Sequence, residues 1–87
     1  MNKYEVMTNK EFNKLICQRI LSLRKERKLT LEQLAYQSGI SKGGLSEILN
    51  GKKCPSPFTI AKICSGLNLT IKEFYSLKEF DDFVESL

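Results

Sequence analysis

The sequence has no histidine, and its three cysteines (Cys17, Cys54 and Cys64) include no C-x-x-C pair. A zinc site would lack ligands, and an odd number of spaced cysteines is not a disulfide framework. A Cys–His nucleophile pair is excluded within this chain, and no Gly-rich phosphate loop or metal-ligand set is present. We therefore expect reduced cysteines serving as small apolar residues, no metal, no cofactor and no enzyme activity.

Long apolar stretches are also missing. No run approaches the roughly 18 residues of a membrane span, and the start, MNKYEVMTNKEF, lacks the apolar region of a signal peptide. A chain of 87 residues makes one domain at most. A domain this small buries only about 60% of its unfolded surface, which leaves little room for a catalytic cavity. We expect a cytoplasmic protein with no membrane contact and no small-molecule ligand.

The net charge of +4 is unevenly distributed along the chain. Residues 1–28 hold eight Lys or Arg against three Asp or Glu, whereas residues 77–87 hold one Lys against four acids. Solvated helix faces would explain the charge alone. The asymmetry also suits a polyanion partner for the first two thirds and a different partner for the tail.

Apolar residues recur at helical spacing in every segment between Lys28, Gly39, Gly51–Pro57 and Gly66–Thr70, which predicts an all-α fold. Five helices are expected to begin at residues that favour the N-cap position, namely Thr8, Thr30, Ser41, Ser56 and Thr70. Residues 1–7 are a candidate disordered segment, residues 8–76 the domain, and residues 77–87 an acidic amphipathic segment. That last segment is either a short sixth helix or an extension of the fifth.

Residues 30–51 contain two short helices joined by a tight turn. Ala35 is small where the helices would cross closely, and Gly39 follows four residues later, where the turn needs positive φ. Apolar residues stand on either side of the turn. Spacing and residue type together predict a helix-turn-helix.

The chain from residue 16 to 75 resembles the Cro-repressor-like, lambda-type (XRE-type) helix-turn-helix family. The matching words are Ile20-x-x-Leu23-Arg24, Leu29-Thr30-Leu31-Glu32-Gln33-Leu34-Ala35, Ser38-Gly39-Ile40-Ser41, Leu45-Ser46-Glu47-Ile48, Asn50-Gly51-Lys52, and Pro55-Ser56 followed by Ile60-Ala61-Lys62-Ile63. The resemblance implies a compact five-helix domain that binds operator DNA, usually as a dimer. It therefore implies a sequence-specific transcriptional regulator, in particular a repressor. The alternative is a protein-interaction module of the same fold, such as the antitoxin of a toxin–antitoxin pair.

In this docking geometry the second helix of the motif enters the major groove of double-stranded DNA, and its first residues meet base edges. The candidate base contacts are Lys42, Gly43, Gly44, Ser46 and Glu47. The candidate phosphate contacts are Arg24, Thr30, Ser41, Asn50, Lys52, Lys53 and Ser56. Each of the charged candidates has an alternative interpretation. Lys42 is then a phosphate contact, Glu47 an exposed residue without a partner, Lys52 and Lys53 solvated loop lysines, and Arg24 a member of an internal or surface pair.

Gly43 and Gly44 are unexpected in the first turn of a helix, because glycine in a helix interior costs about 1 kcal/mol relative to alanine. Their lack of side chains lets the backbone approach the groove, or leaves room for thymine methyl groups or water. The same lack can mean few base contacts and modest specificity. We expect this first turn to fray without DNA.

The sequence departs from the family at Leu49 and Leu31. Many relatives carry a Glu at the position of Leu49 that pairs with the arginine matching Arg24, and a Gln at the position of Leu31 that clamps a phosphate. Neither leucine can make those contacts, so the resemblance implies fewer contacts to DNA here than in a strong phage repressor.

The C-terminal segment carries an apolar stripe that a five-helix core should not need. Its members, Leu77, Phe80, Phe83, Val84 and Leu87, are candidate dimer or partner contacts. Homodimerisation would place two recognition helices about 34 Å apart on DNA. A second protein partner and packing back on the first helix are the alternatives.

Overall fold

The computed structural model describes residues 3–87, with side chains from residue 9 onward. Six helices make up this part of the chain, and it contains no strand. They are α1 (Lys3–Glu26), α2 (Leu31–Ser38), α3 (Lys42–Leu49), α4 (Pro57–Gly66), α5 (Ile71–Phe74) and α6 (Lys78–Ser86). The prediction of an all-α fold is confirmed. None of the described helices combines the length and apolar character needed to cross a membrane.

Four of the five predicted helix starts are confirmed by side-chain caps. The Thr30 hydroxyl accepts the Gln33 N–H at 3.1 Å, while the Gln33 side chain accepts the Thr30 N–H at 2.8 Å. Thr70 and Glu73 form the same reciprocal capping box. Ser41 and Ser56 cap α3 and α4. Each cap satisfies backbone N–H groups that have no partner inside their own helix.

The prediction that the first helix begins at Thr8 is wrong. Helix α1 begins at Lys3, so the Thr8-x-x-Glu11 pattern lies inside the helix rather than at its end. Residues 3–7 include no glycine or proline to stop the helix, and once a turn exists each added residue gains a hydrogen bond. Of the candidate disordered segment, residues 1 and 2 lie outside the described residues and residues 3–7 belong to α1.

One apolar core joins all six helices. Ile16, Ile20 and Leu23 of α1 pack against residues of the helix-turn-helix and of α4, α5 and α6. Cys17 and Cys64 are both buried, and burial raises the pKa of each thiol. A protonated thiol behaves as a small apolar group, as expected from the sequence.

Arg19 of α1 and Arg27, which follows the end of α1, bond to the C-terminal ends of other helices. Arg19 Nε donates to the Phe74 carbonyl at 2.8 Å, and Arg19 Nη2 donates to the Glu73 carbonyl at 2.9 Å. Arg27 Nε donates to the Leu67 carbonyl at 2.7 Å. These carbonyls lie at the C-terminal ends of α5 and α4, where helices lack intrahelical donors and favour cations. Two of the basic residues in the segment predicted to meet a polyanion, Arg19 and Arg27, therefore stabilise the fold instead.

The close approach of α2 and α4 depends on Gly66. A Cβ at this position would overlap Ser38 Oγ and lie 2.9 Å from the Ser38 backbone nitrogen. Gly66 and Ser38 are both buried, and the Ser38 hydroxyl has no hydrogen-bond partner among the described residues. Only a residue without a side chain fits at this crossing.

The C-terminal segment forms a separate helix, α6, which packs on α1. The Phe80 side chain is only 4% exposed, and its ring centroid lies 5.8 Å from that of Phe12 and 5.0 Å from that of Tyr75. Phe83 contacts the same Phe12 ring at 5.1 Å. The packing alternative therefore holds for Leu77, Phe80 and Phe83.

The assignment of Phe80 as a dimer or partner contact is corrected, because this side chain completes the core of its own chain. Val84 and Leu87 remain exposed, at 63% and 79%. They are the members of the stripe that a second molecule can reach.

Candidate nucleic-acid interface

The turn between α2 and α3 has the geometry that the sequence predicts. Gly39 adopts the left-handed conformation with φ 66° and ψ 34°, which glycine tolerates without a Cβ penalty. The Ile40 N–H donates to the Ala35 carbonyl at 2.9 Å, which closes the end of α2. Ser41 then caps α3. The two helices therefore meet through a turn whose backbone groups are bonded locally.

Helix α3 presents one face to the core and the other to solvent. Leu45 and Ile48 are 0% and 4% exposed and anchor the inner face. Lys42, Gly43 and Glu47 are exposed, and Ser46 is half-buried beside them. The structure thus brings these four predicted base contacts to the outer side of α3, in its first two turns.

The two glycines at the start of α3 have different surroundings. A Cβ at Gly43 would meet nothing within 4 Å. A Cβ at Gly44 would lie 2.9 Å from Ser41 Oγ, the atom that accepts the Gly44 N–H at 3.0 Å. Gly44 therefore makes room for the cap of α3, whereas Gly43 leaves open space on the outer surface.

Lys42 is held by an acidic residue that the sequence reasoning did not select. Its Nζ lies 2.8 Å from Glu32 Oε1, and this hydrogen bond, with the positive charge of Lys42, lowers the pKa of Glu32. Both side chains are largely exposed. The pair joins the first turns of α2 and α3. Its partners are ten residues apart, so no helical spacing could have signalled it.

Several predicted phosphate contacts surround a groove of about 400 Å³ between the turn and the start of α4. Ser41, Lys53 and Ser56 line it, as does Lys62, which the sequence reasoning missed. Lys62 Nζ lies 5.0 Å from the ring centroid of Phe58, its i–4 neighbour on α4. The i, i+4 spacing of Phe58 and Lys62 on a helix is a signal of this contact that the sequence contains. The groove combines two helix N-termini with two lysines, a combination that favours anions.

The other predicted phosphate contacts lie outside this groove. Thr30 caps α2. Asn50 and Lys52 follow α3, where Asn50 Oδ1 accepts the Lys52 N–H at 3.2 Å. Arg24 is half-buried, and its Nη1 donates to the Leu29 carbonyl at 3.1 Å, so it has an acceptor inside the domain. Leu49 offers Arg24 no acceptor, so the Leu29 carbonyl takes that part for Nη1, while Arg24 Nε is buried without a hydrogen-bond partner among the described residues.

The amino-acid sequence is similar to a known family and to two named bacterial proteins. A family model described as "Helix-turn-helix" matches residues 20–74. The chain is 47% identical over 53 residues to "HTH-type transcriptional repressor RghR" of Bacillus subtilis (strain 168), covering 60% of this chain and 39% of that protein. "Uncharacterized HTH-type transcriptional regulator RghRB" of the same organism is also 47% identical over 53 residues, covering 60% and 38%. The chain thus spans about two fifths of the length of these relatives. No solved structure matches it.

Proposed function

Because the chain belongs to the helix-turn-helix family, we propose that it is a sequence-specific DNA-binding transcriptional regulator. Its α3 would read operator DNA in the major groove, beginning at Lys42. The observation that carries the proposal is the two-faced α3, anchored by buried Leu45 and Ile48 and exposing polar residues at its N-terminal end. Similarity to a protein named as a transcriptional repressor supports repression as the output.

The outer residues of α3 offer complementary hydrogen-bonding chemistry to base edges. Lys42 is a donor suited to guanine O6 or N7, Glu47 is an acceptor suited to cytosine N4, and Ser46 can do either. Glu47 close to phosphates is repulsive, so its contribution is discrimination between sequences rather than affinity. Glu32 holds Lys42 at 2.8 Å in the free protein. Base contact then requires Lys42 to exchange a carboxylate for a base edge.

Phosphate contacts would fix the orientation of α3 without reading sequence. The groove lined by Ser41, Lys53, Ser56 and Lys62 supplies lysines and the N-terminal ends of α3 and α4. Thr30 at the start of α2 and Lys52 after α3 extend this surface. Arg24 is the weakest member of the proposed set, because it already donates to Leu29.

We further propose that a second copy of the chain binds alongside the first. Exposed Val84 and Leu87 at the end of α6 support a contact there. A pair of recognition helices about 34 Å apart would meet two half-sites on one face of the duplex. Binding would then favour palindromic DNA.

Selection of bound DNA from a random pool tests these proposals. The full chain should enrich one sequence, and the expected winner is palindromic. Lys42→Ala should change the preferred base at one position per half-site, since a good base contact contributes about 1–3 kcal/mol of discrimination. Lys53→Ala is the matched control and should weaken binding to all sequences alike.

The proposed role of Lys42 fails if Lys42→Ala weakens every sequence equally, which would assign the residue to phosphate. The proposed function fails if the wild-type chain enriches no sequence or its affinity does not fall with salt. That outcome would favour the protein-interaction alternative.

A further inference from the structure

We infer that the N-terminal half of α1 is a second DNA-binding surface, in which Lys10 and Lys14 contact the phosphates of duplex DNA. This inference rests on the proposed DNA-binding function and assigns to it a site outside the family match. The match begins at residue 20, whereas α1 begins at Lys3. The preceding turns of α1 therefore lie outside the matched residues.

The structure places these lysines beside the end of the recognition helix. Lys10 and Lys14 are one helical turn apart and both exposed. With Asn13 between them, they face Leu49, Asn50 and Gly51 across a groove of about 330 Å³. Asn50 belongs to the loop proposed to meet the DNA backbone, so this groove continues that surface.

The charges in this groove fit a polyanion. Among the residues whose side chains the structure describes, two lysines line it and no Asp or Glu does. The ion pairs of the described residues are Lys42–Glu32 and Lys78–Asp82, and neither involves Lys10 or Lys14. Maintaining two like charges at i and i+4 costs stability in an isolated helix. A phosphate bound between them would offset that repulsion.

Gly51 makes the groove accessible to a backbone. Its φ of 81° turns the chain sharply after α3, and both Asn50 and Gly51 are exposed. A Cβ at Gly51 would meet nothing within 4 Å, so open space adjoins Gly51 in the lining of the groove that it shares with the two lysines. A DNA strand that contacts the loop after α3 can therefore run on toward Lys14 and Lys10.

The test compares two variants with the same net charge in the full chain. Lys10→Gln/Lys14→Gln removes the proposed contacts, and Lys72→Gln/Lys78→Gln removes two exposed lysines of α5 and α6. Binding to the selected duplex and to a scrambled duplex is followed across a salt titration. The α1 variant should reduce the slope of log affinity against log salt by about 2, because each phosphate contact contributes about 0.9. Its affinity near 0.1 M salt should fall at least about tenfold on both duplexes.

The control variant should keep the wild-type slope within about 0.5. Lys10→Arg/Lys14→Arg should restore it, since arginine also binds phosphate. Thermal melting of each variant confirms that the fold is retained. A wild-type slope in Lys10→Gln/Lys14→Gln, or an equal loss in the control variant, would overturn the inference.

The outcomes separate this inference from the proposed function. A chain that binds DNA with no sequence preference, but loses slope only in the α1 variant, keeps the second surface and loses sequence-specific regulation. If the chain selects one operator but the α1 variant keeps the wild-type salt slope, sequence-specific regulation stands and the second surface is overturned. Absence of any salt-dependent DNA binding overturns both.

Discussion

Gly43 and Gly44 are neighbours in the sequence but have different structural reasons for lacking a side chain. Gly44 must leave Ser41 Oγ free to accept its N–H. Gly43 faces open space on the side of α3 proposed to face DNA. The two glycines at the start of α3 therefore have separate roles. Gly44 makes room for the Ser41 cap, and Gly43 lies on the exposed surface.

Alanine substitutions should separate these two roles. Gly43→Ala should stabilise the free protein by about 0.5–1 kcal/mol, because alanine is the better helix former and nothing obstructs its methyl group. Gly44→Ala should give no such gain, because displacing the Ser41 cap costs about 1 kcal/mol. Urea denaturation of both variants measures the difference. Equal stabilisation by the two substitutions would show that Gly44 is not required for the cap.

Glu32 and Arg19, whose contacts the sequence did not predict, share one property that Lys62 lacks: their partners are distant in the sequence. Glu32 meets Lys42 across ten residues, and Arg19 meets Phe74 across 55. Caps and turns depend on neighbours within about four positions, so Thr30, Ser41 and Gly39 could be predicted from the sequence. Contacts between helices depend on how the helices pack, and a single sequence does not give the distance between residues of different helices.

At the scale of elements, α2 and α4 cross so closely at Gly66 that a Cβ there would overlap Ser38 Oγ. Gly66→Ala should destabilise the protein by about 1–3 kcal/mol, because the added methyl group meets the Ser38 side chain and backbone. Thermal or urea unfolding measures the loss. Ser65→Ala, one position earlier on the exposed side of α4, is the control and should stay within about 0.5 kcal/mol.

Ser38→Ala tests the same crossing from the other side. The Ser38 hydroxyl is buried and has no partner in the part of the chain that the structure describes, so its removal should be neutral or stabilising by up to about 1 kcal/mol. Ser38→Ala should rescue Gly66→Ala only in part, since the Ser38 backbone nitrogen remains 2.9 Å away. A full rescue would mean that the hydroxyl alone prevents a side chain at Gly66.

Element boundaries show where sequence patterns reach their limit. The helix-turn-helix and the family resemblance were confirmed, because caps, a left-handed glycine and apolar spacing all agree within residues 30–51. The start of α1 was predicted wrongly, since the Thr8-x-x-Glu11 pattern also fits a helix interior. The sequence left open whether the apolar stripe at 77–87 contacts another molecule or packs within its own chain. Periodicity identifies an apolar face but does not say what covers it.

On the scale of the whole molecule, α6 is part of the domain rather than an appendage. Phe80→Ala should cost about 3–5 kcal/mol, because its ring lies within the aromatic cluster of Phe12, Phe74 and Tyr75. Val84→Ala is the matched control on the same helix and should change the stability of the single chain by less than about 0.5 kcal/mol. Urea titration at low protein concentration measures both. Similar small losses in the two variants would show that α6 does not complete the core.

This dependence changes how the tail can be studied. Deleting residues 77–87 removes Phe80 from the core, so loss of partner binding after deletion would not by itself locate a contact. Substitutions at Val84 and Leu87, the exposed members of the stripe, leave the core intact. They are the positions at which dimerisation or a second protein partner can be tested.

The chain has three arginines, Arg19, Arg24 and Arg27, and each donates to a backbone carbonyl. The positive charges that stand clear of backbone acceptors are therefore lysine amines. Amines are compact, hydrated point charges without the planar fork of a guanidinium. Acylation of amines would thus neutralise the surface that we propose to face DNA, while leaving untouched the arginines that donate to backbone carbonyls. In the proposed function, lysines would contact DNA, whereas arginines stabilise the fold.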